Sequence, residues 1–134
     1  MLLTDAEGTP LGVDVESASP HEVKLIERLL EKCRDKRRKR CRLLYDRAAD
    51  SEPLRTRLKQ RGVRLIAPYR RFKNRPAKKL SRSATKHYGT RWKVERTFAW
   101  LKYLRRLGMR WEYHAFLFEG FWQLGCVFTI LKGL

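Results

Sequence analysis

The chain has 134 residues, 43% of them hydrophobic, and a formal net charge of +18. This length suits a single domain, and the apolar content excludes a disordered basic tail. The charge indicates a polyanionic partner: nucleic acid is the leading candidate, and an anionic membrane surface is the weaker one.

Residues 1–17 are predicted to form a β-hairpin, because the turn-forming sequence DAEGTP separates two apolar arms. Asp5 lies in this turn and is interpreted as structural. In the second arm, apolar residues alternate with polar or small ones. This alternation predicts one buried face and one solvated face, with Asp14 on the solvated side.

A helix is predicted over about residues 20–33, where apolar residues recur at helical spacing. Ser19 is the expected N-cap, and Pro20 suits the first helical position. The basic run RDKRRKR follows. It can be a solvated linker or a phosphate contact, and the high overall charge favours the phosphate contact.

A short apolar strand is predicted to end at Asp46, and a second strand is predicted over residues 63–68. Between them we expect a helix over residues 51–61, with Ser51 near its N-terminal cap and Gly62 just beyond its end.

Residues 69–87 are predicted to be a loop, because they combine Pro76 and many charges with no apolar period. Two helices, about 90–107 and 113–131, should close the chain. The last is apolar but short, and it contains Glu119, so we interpret it as a buried helix rather than a membrane span. Its aromatic residues are interpreted as core, with base stacking as the alternative.

This order of elements predicts an α/β domain in which helices pack against a small mixed sheet. The cysteines, Cys33, Cys41 and Cys126, form no CxxC pair, and their odd number argues against a disulfide framework. The amino terminus lacks the pattern of a signal peptide. We therefore expect a cytoplasmic protein in a reducing compartment.

Two carboxylates stand out against the basic background. From Pro53 to Val94 there are 15 Lys or Arg residues and no acid, and Glu95 follows directly. Asp46 lies at the end of a predicted strand, where ligands bind in open α/β sheets. It could therefore be a ligand-binding residue, or it could be a structural Asp that caps a helix or forms a turn. Glu95 could be a metal ligand acting on a polyanion, or merely the ion-pair partner of Arg91.

Four residues share one helical stripe if the helix begins by about Tyr88. They are separated by 3, 4 and 7 positions: Tyr88, Arg91, Glu95 and Lys102. The stripe borders an apolar face formed by Val94, Phe98, Leu101 and Leu104. A carboxylate held there beside two cations could hold a metal against a phosphate, which Arg and Lys would bind.

The spacing Y-x2-R-x3-E-x6-K resembles the signature of bacterial insertion-sequence transposases with a DDE catalytic domain. The blocks LLTDAEGTPLGVDVESASPHE, LLYDRAADSEPLRTRLKQRGVRLIAP and RWKVERTFAWLKYLRR resemble that family's in the same order. Nearly the whole chain is covered. Residues 1–134 are therefore interpreted as the C-terminal portion of such a catalytic domain.

The resemblance implies a ribonuclease-H-like fold and DNA strand transfer with two divalent ions, Mg²⁺ or Mn²⁺. It implies that Asp46 and Glu95 are the second and third catalytic acids and metal ligands. It also implies that Tyr88, Arg91 and Lys102 contact phosphates of the transposon-end DNA. Carboxylate oxygens suit such hard cations, which share their coordination shell with substrate phosphates.

The chain departs from the family pattern at two points. Ala49 stands where the family usually has an aromatic residue, and the family's first catalytic Asp lies upstream of the block that contains LLTDAEGTPL. Asp14 is the weak candidate for a replacement ligand. We expect an incomplete sheet and no strand cleavage by the chain as given, together with either poor solubility or pairing with another chain, such as in a homodimer. The alternative is a non-catalytic basic nucleic-acid-binding protein or a remnant of a mobile element.

Overall fold

A computed structural model describes residues 1–16, 21–33, 40–71 and 78–133. Helices alternate with short strands, which confirms the predicted α/β class. In chain order the elements are β1 (Leu2–Thr4), β2 (Pro10–Val13), α1 (Glu22–Lys32), β3 (Cys41–Leu44), α2 (Glu52–Gln60), β4 (Val63–Ile66), α3 (Arg82–Tyr88), α4 (Trp92–Tyr103), α5 (Arg105–Gly108) and α6 (Ala115–Leu131).

The predicted hairpin is confirmed: β1 and β2 pair in antiparallel fashion. The Asp5 carboxylate accepts hydrogen bonds from the backbone N–H groups of Glu7 at 2.9 Å and Thr9 at 2.8 Å. Gly8 completes the turn with φ of +97°, a conformation that favours glycine. Asp5 is therefore a turn-forming residue, as its position in the sequence predicted.

The next unit is a parallel β3–α2–β4 crossover, whose register runs from Cys41 opposite Val63 to Leu44 opposite Ile66. The Ser51 hydroxyl accepts from the Leu54 N–H at 3.5 Å, and Gly62 follows α2 with φ of +78°. Both predicted ends of this helix are confirmed.

The strands of the described residues form two separate two-stranded sheets, β1–β2 and β3–β4. The prediction of one mixed sheet is therefore wrong for this part of the chain. The two sheets stay separate because β1 and β3 do not hydrogen-bond to each other. Both strands line a cavity of about 490 Å³ instead.

Over the described residues, the core is divided into two apolar clusters. The first joins α1, α2 and the β3–β4 sheet, and α2 contributes two fully buried leucines, Leu54 and Leu58. The second joins the hairpin to the C-terminal helices, and its buried members are Val13, Leu101, Leu107, Trp122 and Cys126. The hairpin contacts both clusters, through Leu3 and Leu2 respectively.

Helix α3 lies inside the segment predicted to be a loop, so that prediction is wrong for residues 82–87. Ser81 caps this helix by accepting from the Ala84 N–H at 3.3 Å. Only Ala84 of the seven helical residues is buried, which explains why no apolar period was visible. Pro76 and all but the last residue of the basic run RDKRRKR lie outside the described residues.

Helix α1 confirms the predicted helix over residues 20–33, although its predicted cap, Ser19, and Pro20 lie outside the described residues. His21 occupies the N-cap position, and its Nδ1 accepts from the Val23 N–H at 3.3 Å.

The predicted continuous helix over 90–107 is wrong, because it is divided at Leu104. The extended backbone there, with φ of −69° and ψ of 107°, ends α4 and redirects the chain into α5. This change of direction places Leu107 in the core against α6. Tertiary packing thus overrides a favourable local helical pattern.

Helix α6 is half-buried, which corrects the prediction of a buried helix. Trp122, Gly125 and Cys126 face the core, whereas a row of large apolar side chains is exposed: Phe116, Leu117, Leu124, Val127, Phe128, Ile130 and Leu131. The aromatic segment is therefore core only in part. Among the described helices, none combines the length and the apolar character needed to cross a membrane.

Gly125 is required by close packing between α6 and α5. A Cβ atom there would lie 2.7 Å from Leu107 Cδ1 and 3.3 Å from methyl carbons of Leu101 and Leu104, whereas one at Gly120 would meet nothing within 4 Å. We expect Gly125→Ala to be less stable than Gly120→Ala by about 1–3 kcal/mol, because overpacking offsets the gain in helix propensity. Urea unfolding of both variants measures this difference, and equal stabilities would contradict it.

Candidate active site

Asp46 lies two residues beyond the end of β3, at the carboxyl end of the strand, as predicted. Its Oδ1 accepts from the Ala48 N–H at 2.8 Å and caps a short 3₁₀ turn, Arg47–Ala49. Asp46 therefore has the capping role that the sequence offered as the alternative to ligand binding. The residue also lines the 490 Å³ cavity between β1 and β3, so its position is compatible with both roles.

Glu95 lies in the first turn of α4, where the helix dipole favours a negative charge. Its side chain is 57% exposed, and Oε1 lies 2.6 Å from Arg91 Nη2. Glu95 therefore forms the ion pair with Arg91 that the sequence offered as the alternative to a metal ligand. An exposed i,i+4 pair stabilises a helix by only about 0.3–0.5 kcal/mol. This contribution to stability is too small to account for an acid at this position.

The four stripe residues do not share one continuous helix, which corrects the sequence prediction. Tyr88 ends α3, Arg91 occupies the N-cap position of α4, and only Glu95 and Lys102 are inside α4. The turn between the helices nevertheless keeps the Arg91 guanidinium 5.8 Å from the centre of the Tyr88 ring. Lys102 Nζ lies 4.7 Å from the centre of the Phe98 ring.

The candidate residues line two adjoining depressions. Asp46 and Arg91 line the larger cavity, while Glu95 and Lys102 line a shallower groove of about 380 Å³. Leu2 and Val94 border both. The fold therefore brings the two candidate acids to neighbouring depressions, although they are 49 positions apart in the sequence.

Asp14 is buried, which corrects its predicted place on a solvated face. Its side chain has no exposed surface, and its two oxygens accept from Arg28 Nε at 2.8 Å and Lys32 Nζ at 2.6 Å. Burial alone would raise the pKa of Asp14, but these hydrogen bonds outweigh it and hold the pKa below 3.8. Both oxygens are occupied by cations, so Asp14 is not a replacement metal ligand.

The candidate acids offer oxygen ligands to a divalent cation. Carboxylate oxygens are the ligands that Mg²⁺ prefers, and Asp46 and Glu95 are of that type. Over residues 1–16, 21–33, 40–71 and 78–133, however, no three His, Cys, Asp or Glu side chains are grouped so that they could hold a metal ion. The described residues therefore offer the right type of ligand for a divalent cation, but too few of them.

Sequence reasoning missed the contacts of two arginines, Arg42 and Arg96, that shape this region. The guanidinium of Arg42, on β3, contacts His87 Nε2 on α3, and both residues line the larger cavity. Arg96 lies over the rings of Trp92 and Trp100, at 5.0 and 4.6 Å, and donates to the Glu7 carbonyl at 3.0 Å. The first and last of these contacts join residues 45 and 89 positions apart, so no local pattern could have indicated them.

Comparison with known proteins gives two matches. The family model of the transposase DDE domain matches residues 1–130. A protein assigned as a transposase for insertion sequence element IS402, from Burkholderia cepacia, is 35% identical over an alignment of 132 residues. The alignment covers 93% of this chain. The matched region is 58% of that relative's length. No solved structure matches the chain.

Proposed function

Because this chain belongs to the family of transposases with a DDE domain, we propose that it is part of a transposase that cleaves and joins DNA strands at the ends of an insertion sequence. Residues 1–134 form the C-terminal portion of the catalytic domain in this proposal. The observation that carries it is the convergence of Asp46, Arg91, Glu95 and Lys102 on two adjoining depressions of a strongly basic chain.

Each residue has a role that suits its chemistry. Asp46 and Glu95 would be the second and third catalytic acids. Arg91 can present a planar pair of donors to a phosphate, whereas Lys102 supplies a point charge. Tyr88 places its ring beside Arg91 and would orient that guanidinium on the DNA backbone.

Asp46 and Glu95 would also hold Mg²⁺ or Mn²⁺, the cofactor that membership of this family implies. Ions held there would supply Lewis-acid activation of the attacking water or 3′-hydroxyl and charge stabilisation at the leaving oxygen. Two side chains supply only part of the required coordination shell. We therefore expect this chain by itself not to cleave DNA, since positioning errors of about 1 Å are costly in catalysis.

The parallel β3–α2–β4 unit, with Asp46 at a strand end, supports a ribonuclease-H-like arrangement completed by residues outside this chain. We place the protein in the cytoplasm, in keeping with the free cysteines Cys33, Cys41 and Cys126. A homodimer would cover the exposed apolar row of α6.

A second candidate function is DNA binding without chemistry. It is favoured by the contacts that both acids already make: Asp46 accepts a hydrogen bond from the Ala48 N–H, and Glu95 forms an ion pair with Arg91. The two candidates share a DNA-binding surface and differ in whether a carboxylate variant changes strand cleavage.

Both candidates predict DNA binding that depends steeply on salt. Exposed basic residues precede and continue along α3, namely Lys79, Arg82 and Lys86. We expect log affinity for duplex DNA to fall linearly with log salt concentration, since each neutralised phosphate contributes about −0.9 to the slope. Fluorescence anisotropy with a labelled duplex measures this slope.

Neutralising Lys79, Arg82 and Lys86 together should make the slope less negative by about 0.9 for each contact removed. Arg57→Gln is the matched control, because Arg57 is already paired with Glu27 at 2.9 Å. A flat salt response of the unmodified chain would contradict backbone binding. An unchanged slope in the triple variant would remove α3 from the interface.

A further inference from the structure

The carboxyl ends of the two parallel strands β3 and β4 are connected by a chain of hydrogen bonds. Asp46 and the 3₁₀ turn that it caps follow β3, and the residues from Ala67 onward follow β4. The link between the two segments is the carboxylate of Asp50, a residue that has no role in the proposed chemistry. Its side chain is only 12% exposed, so its charge has to be satisfied by other groups of the protein.

Each oxygen of Asp50 accepts a hydrogen bond from a different arginine. Oδ1 accepts from Arg55 Nη2 at 3.0 Å, and Oδ2 accepts from the backbone N–H of Arg70 at 2.6 Å. An ionised carboxylate satisfies both donors because both of its oxygens are acceptors, whereas an amide offers one acceptor oxygen and one donor nitrogen. An Asn at this position would therefore set an N–H group against one of the two donors.

Arg55 attaches Asp50 to the end of β4. Its Nη1 donates to the Leu65 carbonyl at 3.2 Å, and its Nη2 donates to the Ala67 carbonyl at 2.8 Å. Its guanidinium also lies 4.6 Å from the centre of the Tyr69 ring, and its side chain is only 15% exposed. A guanidinium held by several partners in a fixed planar geometry gives Asp50 a rigid attachment to this strand end.

Arg70 attaches Asp50 to the 3₁₀ turn. Its guanidinium donates to two carbonyls of the turn, from Nε to Arg47 at 3.4 Å and from Nη2 to Ala48 at 3.0 Å. The N–H of Asp50 itself donates to the Arg47 carbonyl at 3.2 Å. Carbonyls at the end of a helical turn lack partners within the turn, so donors from outside stabilise it. Arg70 and Asp50 together therefore hold the carbonyl end of this turn.

The same turn sets the position of Asp46. Ala48 is the shared residue, because its N–H donates to Asp46 Oδ1 at 2.8 Å while its carbonyl accepts from Arg70. A movement of the turn would therefore move the group that holds the Asp46 carboxylate.

We propose that Asp50 is a positioning residue for Asp46: through Arg55 and Arg70 it fixes the turn that holds the Asp46 carboxylate. Asp50 contacts neither DNA nor metal in this role. The consequence for catalysis rests on the function proposed for Asp46, whereas the fixing of the turn does not. Because placement errors of about 1 Å are costly in catalysis, a loosened turn would slow strand cleavage without weakening DNA binding.

Hydrogen exchange followed by NMR tests the fixed turn on this chain alone, without DNA or metal. In Asp50→Asn the Ala48 amide should exchange about tenfold faster, because the turn loses hydrogen bonds to a charged group. The Tyr45 amide, which donates to the Ile66 carbonyl at 3.0 Å in the β3–β4 pairing, should keep its rate. A loss of global stability would instead accelerate both amides.

Two pairs of variants separate position from charge. Glu52→Gln also removes one carboxylate, but Glu52 is 66% exposed, so this control should leave the Ala48 rate unchanged. Arg70→Met keeps the backbone N–H and removes only the guanidinium, and it should accelerate Ala48 exchange about three- to tenfold. Arg71→Met removes the same charge from an exposed neighbour and should not change the rate.

Kinetics connect the turn to the reaction. In a protein that joins this chain to an upstream segment carrying the first catalytic Asp, Asp50→Asn should lower kcat for strand cleavage about tenfold or more. The KM for DNA should stay nearly unchanged, because Asp50 makes no contact with the substrate in this proposal. Glu52→Gln should change neither quantity.

Three results would overturn the proposal. They are an unchanged Ala48 rate in Asp50→Asn, equal acceleration of the Ala48 and Tyr45 amides, and a fast Ala48 amide combined with an unchanged kcat. Failure of the unmodified joined protein to cleave DNA would contradict the proposed function instead. The exchange rates would then still decide whether Asp50 fixes the turn.

Discussion

Glu95→Gln and Asp46→Asn are each expected to abolish divalent-dependent DNA cleavage in a protein that joins this chain to an upstream segment carrying the first catalytic Asp. The loss should exceed about 100-fold, because changes around a metal ligand already cost about 10–100-fold and these residues would be direct ligands. Incubation with end-labelled transposon-end DNA in Mg²⁺ or Mn²⁺ measures cleavage. The chain alone should show none.

DNA binding should survive both substitutions, because each removes a negative charge from a basic surface. Glu52→Gln is the matched control for Glu95, since Glu52 is also an exposed helical carboxylate, 66% exposed and 3.9 Å from Lys78. Cleavage that persists in both active-site variants would show that the acids are misassigned. Specific cleavage by the chain alone that Glu95→Gln removes would show that the site is complete without further residues.

Asp14→Asn is expected to lower the free energy of unfolding by about 1.5–3 kcal/mol, the range of a hydrogen bond to a charged group. Breaking a buried pair can cost more, but Arg28 and Lys32 are 42% and 39% exposed and are screened by solvent. The Asp14 carboxylate links β2 to α1, and through Lys32 to Glu119 of α6 at 2.6 Å. Urea unfolding at neutral pH measures the loss.

Glu31→Gln is the control for a surface ion pair, because Glu31 is 59% exposed and lies 3.2 Å from Arg61. It should change stability by less than about 1 kcal/mol. Equal effects of the two substitutions would show that the buried position of Asp14 adds nothing to the fold.

The contribution of Asp14 should also depend on pH. Its pKa in the folded state lies below the ordinary value of 3.8, so its stabilisation is complete well above pH 3.8 and is lost as pH falls through the folded-state pKa. The stability difference between the native chain and Asp14→Asn should therefore shrink in acid. A difference that is constant from neutral pH into acid would contradict this linkage.

Several parts of the fold could be predicted from the sequence because their causes are local. The turn around Asp5, the cap at Ser51 and the end of α2 at Gly62 each depend on residues within a few positions of one another. The +18 charge and the acid-free stretch before Glu95 are likewise properties of the sequence alone. These features predicted a basic α/β domain and identified Asp46 and Glu95 as the carboxylates of interest.

Only the tertiary structure decided where those side chains lie. Alternation along β2 predicted a solvated Asp14, but α1 places Arg28 and Lys32 against it, so the side chain is buried by partners 14 and 18 positions away. Leu104 interrupts a favourable helical pattern because Leu107 packs against α6. Local periodicity reports the environment of neighbouring residues, whereas burial, strand pairing and the meeting of Asp46 with Arg91 in one cavity depend on contacts between distant segments.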